Sequence, residues 1–215
     1  MPTNFGDLEK YLPVGAYELV LPCLNEHPVK LRITRPRRTK LGDFRSQSRN
    51  GPHSISVNGD LNSYAFLITL VHELAHLYNW VEYGKKAKAH GEEWKQCYRD
   101  LLRPMIDHSC FPADLSPLLE AHLKKAPAAS CTDPHLVKAL HKYDTHLDRT
   151  YLEDLPSNSV FTLGGNKQFR KGEKLRKRFR CLCLNNKRQY LIDPLAEVSS
   201  SELQELPFRK FALDS

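Results

Sequence analysis

The sequence predicts an α+β protein. Three observations carry that prediction: alternating short strands before residue 60, a long apolar helix over about residues 63–83, and a change to a period of two from Ser159 onward. In chain order, Asn4–Leu12 and Ala16–Leu24 read as short helices parted by Pro13. Val29–Thr34 (VKLRIT) alternates as a strand. Thr39–Arg45 is a candidate second strand, and His53–Asn58 (HSISVN) a third, after the turn signal Asn50-Gly51-Pro52. A helix follows over Ser63–Tyr83, with Ser63 as its N-cap and Gly84 at its end.

A second helix spans Gly91–Leu102. Glu92 and Glu93 suit its N-terminal dipole, Trp94, Cys97, Tyr98, Leu101 and Leu102 recur at helical spacing, and Pro104 follows. Pro112–Tyr151 mixes Pro, Ala, His and short helical patterns, which reads as a helical connector. Beyond Ser159, Gly164-Gly165-Asn166 and Asn185-Asn186-Lys187 separate short strands of a small antiparallel sheet ending near Ile192. The expected organisation is a core over residues 1–110, a connector over 111–152, a basic β-rich annex over 153–198 and a tail over 199–215.

At 215 residues, 40% hydrophobic and 27% charged, the chain has the composition of a globular protein and can bury a core without disulfide staples. No apolar run reaches the ~18–20 residues of a spanning helix. Met1–Leu12 lacks a basic region followed by an apolar stretch, so the sequence leads us to expect no signal peptide. The six cysteines show no dense disulfide-type spacing, and the expected compartment is reducing and cytoplasmic, extending to the nucleoid.

The net charge of +7 is unevenly distributed. Lys30–Arg49 carries eight basic residues against Asp43, and Lys167–Arg188 carries ten against Glu173; the remainder holds 14 basic and 23 acidic residues. Two basic segments in an otherwise acidic chain suggest a polyanionic partner, or else two solvated strand faces.

The residues that carry chemistry are His72-Glu73-Leu74-Ala75-His76, an H-E-x-x-H motif. At about 100° per residue, His72 and His76 lie roughly 40° apart on one helix face and can share one metal ion. Glu73 sits beside them, placed to take a proton from a metal-activated water. Leu67, Leu70, Val71, Leu74, Tyr78 and Val81 form an apolar stripe nearly opposite the histidines, so these face solvent, a cleft or a metal rather than the stripe's core. Phe66, Ile68 and Trp80 on the flanks imply cover on several sides, which favours a cleft. A catalytic zinc takes three protein ligands, and His90, opening the next helix, is the best third.

The run VHELAHLYNWVEYGKKAKAHGEEWK resembles the SprT-like metallopeptidases, in which H-E-x-x-H is followed by a loop and H-G-x-x-[FW], here His90-Gly91-Glu92-Glu93-Trp94. ISVNGDLN (Ile55–Asn62) resembles the strand and turn that precede the family's active-site helix, and the resemblance covers about Leu8–Arg103. It implies a compact zincin-like SprT core, with His72, His76 and His90 as ligands of one catalytic Zn2+ and Glu73 as the catalytic base. It also implies metal-dependent hydrolysis of peptide bonds. Arg37, Arg38 and Tyr83 are oxyanion candidates on chemistry alone.

Many relatives carry a C-terminal zinc ribbon with two C-x-x-C pairs; here only Cys181-x-Cys183 stands in that region. The annex therefore reads as a degenerate ribbon whose cysteines are small apolar strand residues. Cys131, His135, His141 and His146 match no ligand scheme. Lys174–Leu184 reads as one strand, with Arg176, Arg178 and Arg180 on one face. Together with Lys174, Arg37 and Arg38 they are the candidate contacts to DNA, sequence-independent, with Phe169 and Tyr190 nearby to stack bases. The competing reading is a solvated edge strand protected by its charge.

Because eukaryotic members of the family act on DNA–protein crosslinks, the resemblance also points to substrates held on DNA. Two other functions stay open: a nucleic-acid-associated binding protein with a structural or silent metal site, and a general peptidase indifferent to DNA.

Overall fold

The computed structural model describes residues 5–37, 40–46, 51–125, 133–144 and 150–200. Arg38, Cys131, His146 and residues 201–215 of the expected tail lie outside them. The fold is mixed α+β and divides into two units, Met1–Leu147 and Asp148–Ser215. No described helix is long and apolar enough to cross a membrane.

In the first unit, helix α1 (Ala16–Glu26) leads into β1 (Val29–Thr34), β2 (Gly42–Arg45) and β3 (His53–Asn58). The sheet order is β1-β3-β2, with β1 parallel and β2 antiparallel to the central β3. Period two sends Ile55 and Val57 of β3 into the core, and Ser54 and Ser56 to the other face beside Lys30 and Arg32 of β1.

Helix α2 (Ser63–Tyr83) packs against β2 and β3, and α3 (Glu92–Asp107) packs against α2. Covered from two sides, α2 is buried at every residue from Ala65 to Ala75. The flanking Phe66 and Ile68 are fully buried, whereas the stripe fails at its far end, where Val81 is 46% exposed.

The N-cap of α2 is Asn62, one residue before the expected Ser63: its Oδ1 accepts from the Ala65 N–H at 3.0 Å. The same side chain donates to Leu140 O and to Asp144 Oδ1, at 2.9 and 2.7 Å, tying the start of α2 to the end of α5 (Pro134–His141). Residues 111–152, expected as a connector, contribute Leu115, Leu119, Leu123, Leu136 and Leu140 to the same core through α4 (Ser116–Lys125) and α5. Five leucines at about 1.5–3 kcal/mol each are a structural contribution, not a linker's.

Three local expectations need correction. The described part of Asn4–Leu12 holds only a 3-10 turn at Leu8–Tyr11. The second strand begins at Gly42 rather than Thr39. Helix α3 runs through Pro104 to Asp107, because Leu102 and Met105 extend its buried face and outweigh one lost backbone bond.

The second unit comprises β4 (Thr150–Tyr151), β5 (Val160–Leu163), β6 (Lys167–Lys174), β7 (Phe179–Cys183), β8 (Gln189–Ile192) and β9 (Glu197–Ser200). They form an antiparallel sheet in the order β4-β9-β5-β6-β7-β8. The single strand expected over Lys174–Leu184 is two strands. They join in a turn closed by the Leu175 N–H on Arg178 O at 2.8 Å, and Lys174 pairs with Phe179. Cys181 and Cys183 are buried in this unit's core with Phe161, Phe169 and Phe179.

Lys171 is buried there too. Its ammonium donates to Glu153 O at 3.0 Å and Leu155 O at 2.5 Å, and lies 4.3 Å above the Phe179 ring. One cation thus clamps the 152–155 segment to the β6–β7 hairpin. Lys171→Met keeps the apolar stem and leaves both carbonyls without that donor. It is expected to destabilise the second unit by about 1–3 kcal/mol in chemical denaturation. An unchanged midpoint would remove the clamp.

Candidate metal centre and active site

His72 and His76 stand one turn apart on α2. His90 returns to them through a short loop and a left-handed backbone (φ 61°), one residue before Gly91 caps α3. The three histidines offer ligand nitrogens that all lie within 4.8 Å of one another, and His72 Nε2 is 3.2 Å from His90 Nε2. A tetrahedral zinc with bonds of 2.0–2.1 Å has ligand–ligand edges of about 3.3 Å, so this pair already has the separation such an ion requires. No other described His, Cys, Asp or Glu joins the group, which leaves room for a further ligand. The residues fit a metal.

Burial holds the cluster neutral. It pushes His72 down to about 2 and His76 to about 4, each helped by neighbouring histidines, and lowers His90 as well. Neutral imidazoles keep the lone pairs a cation needs. Trp94 of α3 packs against all three rings, its centroid 4.7, 5.2 and 4.6 Å from those of His72, His76 and His90. Tyr98 stacks behind Trp94 at 5.1 Å, and its hydroxyl is hydrogen-bonded to His122 Nε2 at 2.9 Å. His72 Nδ1 is buried without a hydrogen-bond partner, so these aromatic faces hold its ring where a carboxylate commonly would.

Glu73 is buried beside the cluster. Desolvation, and then the Asp43 carboxylate, push it up to about 7, opposed by a hydrogen bond from the Phe44 N–H. Strand β2 runs so close that a Cβ at Gly42 would strike the Glu73 carboxylate and lie 2.8 Å from both Glu73 Cγ and Thr69 Cγ2. Phe44 stacks its ring near-parallel to that of His76 at 6.3 Å. Glu73 and the histidines open into a cleft of ≈ 630 Å³ walled by Gly42, Phe44, Trp80, Lys85 and Ala87.

Of the oxyanion candidates, the two among the described residues, Arg37 and Tyr83, are not brought to this cleft. Arg37 donates to Ser56 Oγ at 3.3 Å and Leu41 O at 3.5 Å, and Tyr83 is exposed at the end of α2; neither lines the cleft. The arginine row also dissolves: Arg176 and Arg178 lie in the β6–β7 turn, and Arg180 pairs with Glu173 at 2.7 Å. Lys174 stays exposed at the end of β6, its ammonium 5.6 Å from the centre of the Phe179 ring. Phe169 is a core residue, so base stacking by it is ruled out. His135 and His141 sit on α5, apart from any described metal group. Gly42, Phe44 and the floor role of Trp94 and Tyr98 went unread in the sequence. The one available signal was the tryptophan of H-G-x-x-W.

Residues 23–110 match the SprT-like family. The match contains the three strands of the first sheet, the histidine cluster and Glu73, and it begins later and ends further on than the expected Leu8–Arg103. None of the curated proteins and none of the solved structures compared with the chain matches it. The SprT-like segment is therefore the first sheet with α2 and α3, the part of the chain that builds the cleft.

Proposed function

We propose that this chain is a zinc-dependent metalloendopeptidase of SprT type with a zincin-like core. The observation that carries the proposal is three neutral histidine nitrogens gathered within 4.8 Å beside a buried carboxyl in an open cleft. When bound, zinc supplies Lewis acidity toward the scissile carbonyl and toward water. Glu73 takes the proton from the attacking water and delivers it to the leaving amine, and burial, which raises its affinity for a proton, favours the first transfer. A purely structural site would gain nothing from burying that carboxyl.

Strand β2 offers the substrate a backbone. Hydrogen-bonded pairs alternate in an antiparallel ladder, and Asn58 N–H bonds Leu41 O at 2.7 Å, so residues 43 and 45 face β3 while the backbone of Gly42 and the Phe44 carbonyl turn outward at the cleft, the Phe44 N–H being held by Glu73. An extended peptide can pair there and lay its scissile bond across the histidines. We further propose that the substrates include proteins held on or crosslinked to DNA, a reading supported by the basic residues of Lys30–Arg45 on the first sheet.

The test is cleavage of a DNA-binding protein, with and without DNA, by zinc-loaded, chelated and zinc-restored protein. Chelation is expected to abolish cleavage and zinc to restore it, with DNA increasing the rate. Zinc-loaded protein that cleaves nothing would reject the peptidase, and DNA-independent cleavage the choice of substrate.

A further inference from the structure

The face of the first sheet turned away from α2 carries a second concavity. It measures ≈ 280 Å³ and is lined by Lys30, Arg32, Arg37, Arg45, Ser54 and Ser56. Register explains its shape. Ser54 on the central strand is flanked by Lys30 and Arg45, and Ser56 by Arg32 and Asp43, so short hydroxyl side chains form the floor and long cations the walls. The two rows lie one strand period apart, about 6.6 Å.

Arg37 is held over the second row by its bonds to Ser56 Oγ and Leu41 O. Asp43, the one carboxylate present, is spoken for by Lys40 at 2.7 Å and Arg45 at 2.9 Å, which together hold it below the usual carboxylate range. Lys30 and Arg32 are exposed, and neither has a carboxylate partner among the described residues.

We infer that this trough binds consecutive phosphates of a nucleic-acid strand. Cations on both rows, Lys30 and Arg45 on the first and Arg32 with the overlying Arg37 on the second, suit a linear polyanion better than a lone ion, and hydroxyls between them supply donors to phosphate oxygens. Among the described residues no aromatic side chain lines the trough to stack on a base, and binding is independent of sequence. The site thus belongs to the first unit, where Lys30, Arg32, Arg37 and Arg45 gather around the single carboxylate of Asp43, whereas Arg176 and Arg178 of the second unit lie in a turn and line no such concavity among the described residues. The inference concerns binding alone and stands whether or not the cleft hydrolyses peptides.

The experiment is fluorescence anisotropy of a labelled single-stranded oligothymidine across a salt titration, using the full chain after chelation so that cleavage plays no part. Replacing Lys30, Arg32 and Arg45 together by Ala is expected to weaken binding at least ten-fold. It should also lower the slope of log K against log salt by about two. Ser54→Asp, which keeps every cation and sets a carboxylate on the floor, is expected to match that loss and decides the matter should the triple variant not fold. Removing three charges from the second unit (Arg176, Arg178 and Arg188 to Ala) should change affinity less than two-fold.

The inference is overturned if the trough variants bind like wild type or if the loss follows the second-unit variant instead. It is equally overturned if tripolyphosphate displaces the strand at equal phosphate concentration, which would make the trough a simple oxyanion site.

Discussion

Glu73→Gln is expected to lower the turnover of peptide hydrolysis by about 10²–10⁴-fold while leaving metal binding intact. The amide keeps the size of the carboxyl and can still accept from the Phe44 N–H, so the packing of β2 against α2 at Gly42 survives. What it loses is the ability to hold a proton and give it back. Steady-state cleavage beside zinc titration of the same sample separates the two effects. Full activity in the variant would end Glu73's role, and lost zinc binding would mean that the substitution acts on the histidines.

The same substitution has an opposite effect on stability. In the folded, metal-free chain burial raises Glu73 from 4.5 to about 7, so between those values the folded state holds a proton that the unfolded state has released. The stability that goes with this is complete below 4.5 and is lost as pH rises through 7. Glutamine carries no such loss. Metal-free Glu73→Gln should therefore be the more stable protein at pH 8, by a margin on the order of 3 kcal/mol, and should equal the parent near pH 4.

The sequence made the candidate ligands legible for a geometric reason. Two of the histidines and Glu73 share one helix, where spacing fixes direction, and the boundaries of β1, β3 and α2 follow from period and punctuation alone. What was not legible depends on contacts between distant segments. Nothing local to Gly42 or Phe44 says that β2 will lie across Glu73, because that follows from β2 pairing with β3 while α2 packs beneath both. Trp94 looked like one more apolar residue on a helical face, and only the return of α3 shows it touching three imidazoles.

The arginine row failed for the opposite reason. Alternation over Lys174–Leu184 is compatible with one strand or with a hairpin, and the pairing of Lys174 with Phe179 chooses the hairpin. The basic residues of β1 and β2 read along the chain only as a charged segment, and they become one trough only through the register across β3.

His90 offers the second large effect. It is the one member of the cluster outside α2, and its backbone adopts φ 61°, a region that costs a side chain with a Cβ about 1–2 kcal/mol. His90→Gly and His90→Ala both remove the imbrication of His90 with His72 at 3.2 Å and leave a two-histidine site, so each is expected to lower zinc affinity at least 100-fold in a chelator competition. They should part in stability. Without metal, the glycine variant relieves the backbone and should melt above the alanine variant, which keeps the strain and has lost its purpose. Zinc affinity equal to the parent's in both variants would remove His90 from the ligand set, and equal melting of the two would show that the left-handed turn carries no strain. A free choice at this position would favour glycine, as at Gly84, where the chain also enters the left-handed region. A histidine is worth its backbone cost only if the imidazole does something there that a Cα hydrogen cannot, and closing a metal site with His72 and His76 meets that requirement.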